Sequence, residues 1–70
     1  MASDLEIVAA IECATGLFFE QNKDGSWPLG IRRNLEEVRE HVLPSLKFGA
    51  TIGEIGAAWL SFKLRRYDNK

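Results

Sequence analysis

The stretch Gly16-Leu17-Phe18-Phe19-Glu20-Gln21-Asn22-Lys23-Asp24-Gly25-Ser26-Trp27-Pro28 decides what this chain can fold into. If Leu17–Gln21 were a strand, Asp24-Gly25 would be its hairpin turn, since φ > 0 at both central residues favours Asp-Gly. If Gly16 lies inside a helix, the segment is the tail of that helix and a turn into the next. The second reading fits the residues on both sides better. Ile7, Ile11, Ala14 and Phe18 recur at helical spacing, with Val8, Thr15 and Phe19 beside them. Pro28 weakens any partner strand. A helix over about 4–21 is therefore expected, despite a cost of about 1 kcal/mol for a glycine in its interior.

Outward from this segment the pattern is helical throughout. Three Ser/Thr/Asn residues are each followed three positions later by Glu: Ser3 and Glu6, Asn34 and Glu37, Thr51 and Glu54. Each pair heads an apolar periodic run, which is the signature of a capping box. The second helix is expected over about 35–43, where Leu35, Val38 and Val42 form one stripe and Pro44 stops it. The third is expected over about 52–67. Ile52, Ile55, Trp59 and Phe62 make one of its faces, and Ala57, Leu60 and Leu64 another. The predicted fold is an all-α, compact three-helix domain spanning residues 1–70 as a single unit, with QNKDGSWPLG as the turn between helices 1 and 2.

Gln21-x-x-x-Gly25-x-Trp27 resembles the Gln/Trp turn motif repeated in terpene cyclases built on paired-helix barrels. The resemblance covers residues 14–27 only, and the acidic catalytic motif of such barrels is not present. It implies structure and no activity. Gln21 would bridge backbone groups at the turn, Gly25 would take a positive φ, and Trp27 would pack on the preceding helix. The alternative role for Trp27 is an exposed anchor for a partner.

Composition narrows the functional classes. The 70 residues are 46% hydrophobic and 27% charged, with a net charge of −1. Cys13 and His41 are the only cysteine and histidine. No disulfide can form within the chain, and no Cys/His zinc site can be assembled from one copy. Cys13 and His41 fall on polar faces of different helices, Glu36, Glu37 and Glu40 read as a solvated helix surface, and Gly49, Gly53 and Gly56 lack the context of a phosphate loop. No enzyme activity, cofactor or metal is expected. The apolar runs are too short for a membrane span, and no signal peptide is visible, which points to a cytoplasmic setting.

A small domain without staples gains from association, and the third helix is apolar over more of its circumference than two short helices can cover. The expected function is therefore protein binding, as an adaptor, inhibitor or regulatory subunit, with self-association to a homodimer through the third helix. The expected interface is Trp59, Leu60, Phe62 and Leu64, with Arg65 and Arg66 at its rim. The alternative is a DNA-binding regulator. Thr51–Arg66 resembles the opening of a helix-turn-helix, and Lys63, Arg65, Arg66 and Lys70 would then contact phosphate. The pI near 5.7 weighs against it. Residues 1–20 are acidic and residues 61–70 basic. This division fits helix-dipole complementarity, the two ends facing each other within one chain or between two, or a basic end that meets an acidic partner.

Overall fold

The computed structural model describes residues 3–68 and is all-helical there, with three main helices and no strand among the described residues. The first, α1, spans Asp4–Thr15. The second, α2, spans Leu29–Glu37 and continues through a π-helical segment, Val38–Val42, into a 3-10 turn, Leu43–Ser45. The third, α3, spans Ile52–Asp68. The three-helix, all-α expectation holds, while the ends of the first two helices move.

Gly16 ends α1. Its φ of +74° lies in the left-handed region, and its N–H bonds to the Glu12 carbonyl at 2.8 Å. This is the ordinary way a glycine closes a helix. Two side chains then take amides that a continuing helix would have used. Thr15 Oγ1 accepts from Leu17 N at 3.2 Å, and Glu12 Oε2 accepts from Phe19 N at 2.9 Å. The expected extension of α1 to residue 21 is thus incorrect. Phe18, placed on the buried face by helical periodicity, is 87% exposed, whereas Phe19 packs against the core.

The chain beyond Gly16 is not a hairpin either. It runs without regular structure to a tight turn in which Gly25 N bonds to Asn22 O and Asn22 N bonds to Ser26 O. Gly25 takes φ +87°, and Gln21 Nε2 donates to the Gly25 carbonyl at 2.7 Å. Ser26 N and Oγ both donate to Asp24 Oδ1, which holds the Asp24 carboxyl below its ordinary pKa. Trp27 is buried in the core, so it is no exposed anchor. Gly25 thus takes its expected positive φ, Gln21 bonds to one backbone carbonyl of the turn, and Trp27 joins the core cluster.

Of the three expected capping boxes, Thr51–Glu54 closes in both directions and Ser3 acts as a one-way N-cap. Ser3 Oγ accepts from Glu6 N, and Thr51 and Glu54 exchange reciprocal bonds of 3.0 and 3.2 Å. The bonds from Thr51 also hold the Glu54 carboxyl below its ordinary pKa. The Asn34–Glu37 pair lies inside a helix that starts earlier, at Leu29, directly after Pro28. Pro44 shapes the other end of that helix. It lacks an N–H, and in a regular α-helix its ring would meet the carbonyl four residues back. The ladder widens first, with Leu43 N reaching Val38 O, and Pro44 then sits in the first turn of the 3-10 segment.

The core is one cluster: Ile7, Val8, Ala10 and Ile11 from α1, Trp27, Ile31 and Leu35 around α2, Val38 and Val42 from the π segment, and Ile55 and Trp59 from α3. The main packing is α1 on α3. Glu6 shares a hollow with Ala50 and Ile55, and Thr15 shares a groove with Leu60 and Leu64, so these two helices run in the same sense. Glu37 meets Lys63 and Arg66 while Leu43 lies near Ile55, so α2 and its continuation run the opposite way. At the α1–α3 crossing Gly56 is buried, and a Cβ on it would lie 2.7 Å from the Ala10 carbonyl oxygen and 3.4 Å from Ala14 Cβ.

This geometry separates two glycine-to-alanine changes. Gly56→Ala should cost about 1–3 kcal/mol, because backbone must move to admit the methyl group. Gly30→Ala, in an exposed helical position with nothing within 4 Å of the new methyl, should be neutral or add up to about 1 kcal/mol. Urea denaturation of both variants beside the wild type checks the difference in sign.

Candidate protein-binding surface

The core takes the face of α3 that carries Ile55 and Trp59. Trp59 is 6% exposed and belongs to the core, so its expected place at an interface is corrected. It recurs four residues after Ile55, on the same helical face, and follows that residue inward. Phe62 is half-buried against the core and stacks on His41, with ring centroids 5.3 Å apart. The Arg66 guanidinium lies 5.7 Å from the Phe62 ring centroid. Ile52, expected on the buried face, is exposed.

Leu60 and Leu64 face outward, 38% and 64% exposed. They are one helical turn apart and line a groove of about 760 Å³ that Thr15, Glu37, Lys63 and Arg66 complete. Neither flanking helix covers them. Further apolar exposure follows Thr15 in the chain at Leu17 and Phe18. At the other end of the bundle, Phe48 is exposed beside a hollow of about 430 Å³ walled by Glu6, Leu43, Leu46 and Ile55.

The groove has a charged floor at one side that sequence reading missed. Glu37, whose side chain is largely buried, receives Lys63 Nζ at 2.8 Å on Oε1 and Arg66 at 3.0 Å on Oε2. Lys63 also sits 5.7 Å from the centroid of the Trp59 ring, a cation–π contact. The Trp59 indole N–H is buried with no hydrogen-bond partner among the described residues. Sequence reading grouped Glu37 with Glu36 and Glu40 as solvated surface. Its position two residues after Leu35 and beside Val38 was the available signal that it borders the core.

The acidic first helix and the basic last helix do not pair with each other in the described ion pairs. Asp4 pairs with Arg39 of the π segment, and the α3 cations go to Glu37. Of the four basic residues expected to touch nucleic acid, Lys63 and Arg66 are thus held by a carboxylate. Arg65 is exposed with no ion pair among the described residues, and Lys70 lies outside those residues. The helix-turn-helix form itself is absent, because Thr51–Arg66 contains one unbroken helix from Ile52 onward. Cys13 is exposed on α1, and His41 is taken up by Phe62 and Glu40. No helix among the described residues is long and apolar enough to cross a membrane.

No protein family, curated protein or solved structure matches this chain.

The two kinds of ion pair here should differ in worth. Glu37→Gln leaves Lys63 and Arg66 without their carboxylate in a half-buried site and is expected to cost about 1–3 kcal/mol. Asp4→Asn breaks a pair whose side chains are each more than one-third exposed and should cost no more than about 1 kcal/mol. Chemical denaturation at one protein concentration checks the order of the two losses.

Proposed function

We propose that this chain is a non-catalytic binding protein, an adaptor, inhibitor or regulatory subunit, that associates through the outward face of α3. The observation that carries the reading is the exposure of Leu60 and Leu64, an apolar pair one turn apart beside an open groove. A fold of this size has little apolar area to spare, and leaving two leucines uncovered on its longest helix makes sense if another chain covers them. Lys63 and Arg66, fixed by Glu37, give the groove an ordered polar edge, and Arg65 lies on the same helix. A polar rim around an apolar centre is the usual anatomy of a protein interface. The interface is therefore Leu60 and Leu64, with Arg65 and Arg66 at the rim, while Phe62 is turned to the core and His41 on the other side of the helix.

The nucleic-acid alternative has less to stand on. Two of its proposed contacts neutralise Glu37, and among the described residues no second helix is set across a short turn from α3. The cytoplasmic setting is part of the same proposal and is supported by the single cysteine and by the lack of a visible signal peptide.

The double variant Leu60→Asp/Leu64→Asp tests the reading. It should keep the wild-type helical signal, because neither side chain belongs to the core, while its melting transition should fall and lose the dependence on protein concentration that association gives the wild type. Sedimentation equilibrium should show the wild type above monomer mass and the variant at monomer mass, with the wild-type assembly persisting at high salt. A wild type that is monomeric at every concentration would contradict self-association, and so would an assembly that survives the double substitution.

A further inference from the structure

The exposed face of α3 carries more than two leucines. Gly53, Ala57, Leu60 and Leu64 are all exposed, and they follow one another at spacings of four, three and four. At 100° per residue they fall within about 60° of arc. That is the a/d spacing of a helix seam that packs against another helix. The seam is graded, with small residues in its N-terminal half and leucines in its C-terminal half.

We infer that the partner of this seam is a second copy of the same chain, with the two α3 helices packed antiparallel about a twofold axis level with the midpoint between residues 58 and 59. The inference rests on the proposed self-association and specifies its geometry. Size decides the direction. Residues 57 and 60 are equidistant from that midpoint, as are 53 and 64. An antiparallel pair thus sets Leu60 against the partner's Ala57 and Leu64 against the partner's Gly53. Each layer then holds one large and one small residue, and the helices keep a constant separation. A parallel pair would set Gly53 on Gly53 and Leu64 on Leu64, forcing the axes close at one end and apart at the other. The cleft over Gly53 is open, since a Cβ built there meets only Thr51 Oγ1, at 3.9 Å.

Charge agrees with size. Glu54 and Arg65 are eleven residues apart, which brings them to within about 20° of each other on one flank of the seam. A twofold antiparallel arrangement keeps that flank on the same side in both copies. The Arg65 of one copy then comes level, to within about 3 Å along the axis, with the Glu54 of the other. Both are exposed, and neither has an interhelical ion pair within the chain among the described residues. The same pairing would occur twice.

Disulfide trapping reads the direction. Two chains, each carrying Cys13→Ser, would be made: one with Gly53→Cys, the other with Leu64→Cys and a size tag. Both sites are exposed, so neither change touches the core. The chains are mixed, oxidised mildly and separated without reductant. The antiparallel register places residue 53 of one copy opposite residue 64 of the other, and like positions about 16 Å apart along the axis, beyond reach of a disulfide. The mixed 53–64 product should dominate. Predominant 53–53 and 64–64 products, or no cross-linked product, would overturn the register. If Leu60→Asp/Leu64→Asp still dissociates the assembly, the register fails while self-association through α3 stands. If the wild type is monomeric, both fail.

Discussion

The close approach of two backbones at Gly56 is the constraint on which the rest of this structure depends. Ala10 and Ala14 on α1 and Gly56 on α3 let the two helices meet at a distance that a single methyl group on Gly56 would forbid. Ile7, Ile11, Ile55 and Trp59 can then interlock in a chain with only 70 residues to build a core. The crossing also fixes the rotation of α3 about its own axis. With Ile55 and Gly56 turned to the core and to α1, Leu60 and Leu64 are left facing solvent. The exposed seam is a geometric consequence of the buried one.

The second helix closes the remaining side, and its irregular end serves that purpose. Val38 and Val42 are both buried, although they straddle the place where Pro44 disturbs the ladder. A π turn lets the helix keep both valines against the core before the chain leaves through the 3-10 segment. Glu37 then stands where the regular helix ends and ties α2 to the C-terminal half of α3 through Lys63 and Arg66.

Much of this was legible in the amino-acid pattern, for reasons that can be named residue by residue. Apolar spacing identified three helices, and the capping residues Ser3 and Thr51 marked two true starts. Asn34 failed as a start because a Ser/Thr/Asn-to-Glu spacing of three also arises by chance inside a helix; Pro28, just ahead of Leu29, carried the actual boundary. Periodicity misplaced Phe18, because a face can continue in sequence after the helix that defines it has stopped. Gly16 was the stop signal, and it acts with Thr15 and Glu12, whose side chains capture the next amides. For the candidate surface, Leu60 and Leu64 were readable as more apolar area than two short helices could cover. Trp59 was not readable as core, since an aromatic residue suits an interface and an interior equally. The role of Glu37 needs the third dimension, because its partners lie 26 and 29 residues away.

One close helix crossing holds the fold, and the same helix presents the graded leucine–small seam through which association is proposed. The most direct test of that account is the nuclear Overhauser effect between the Gly56 α protons and the methyl protons of Ala14. A strong cross-peak between them is expected if the backbones meet as described. Its absence, with α3 otherwise helical, would mean that α3 is rotated or displaced on α1. The outward placement of Leu60 and Leu64 would then lose its physical basis.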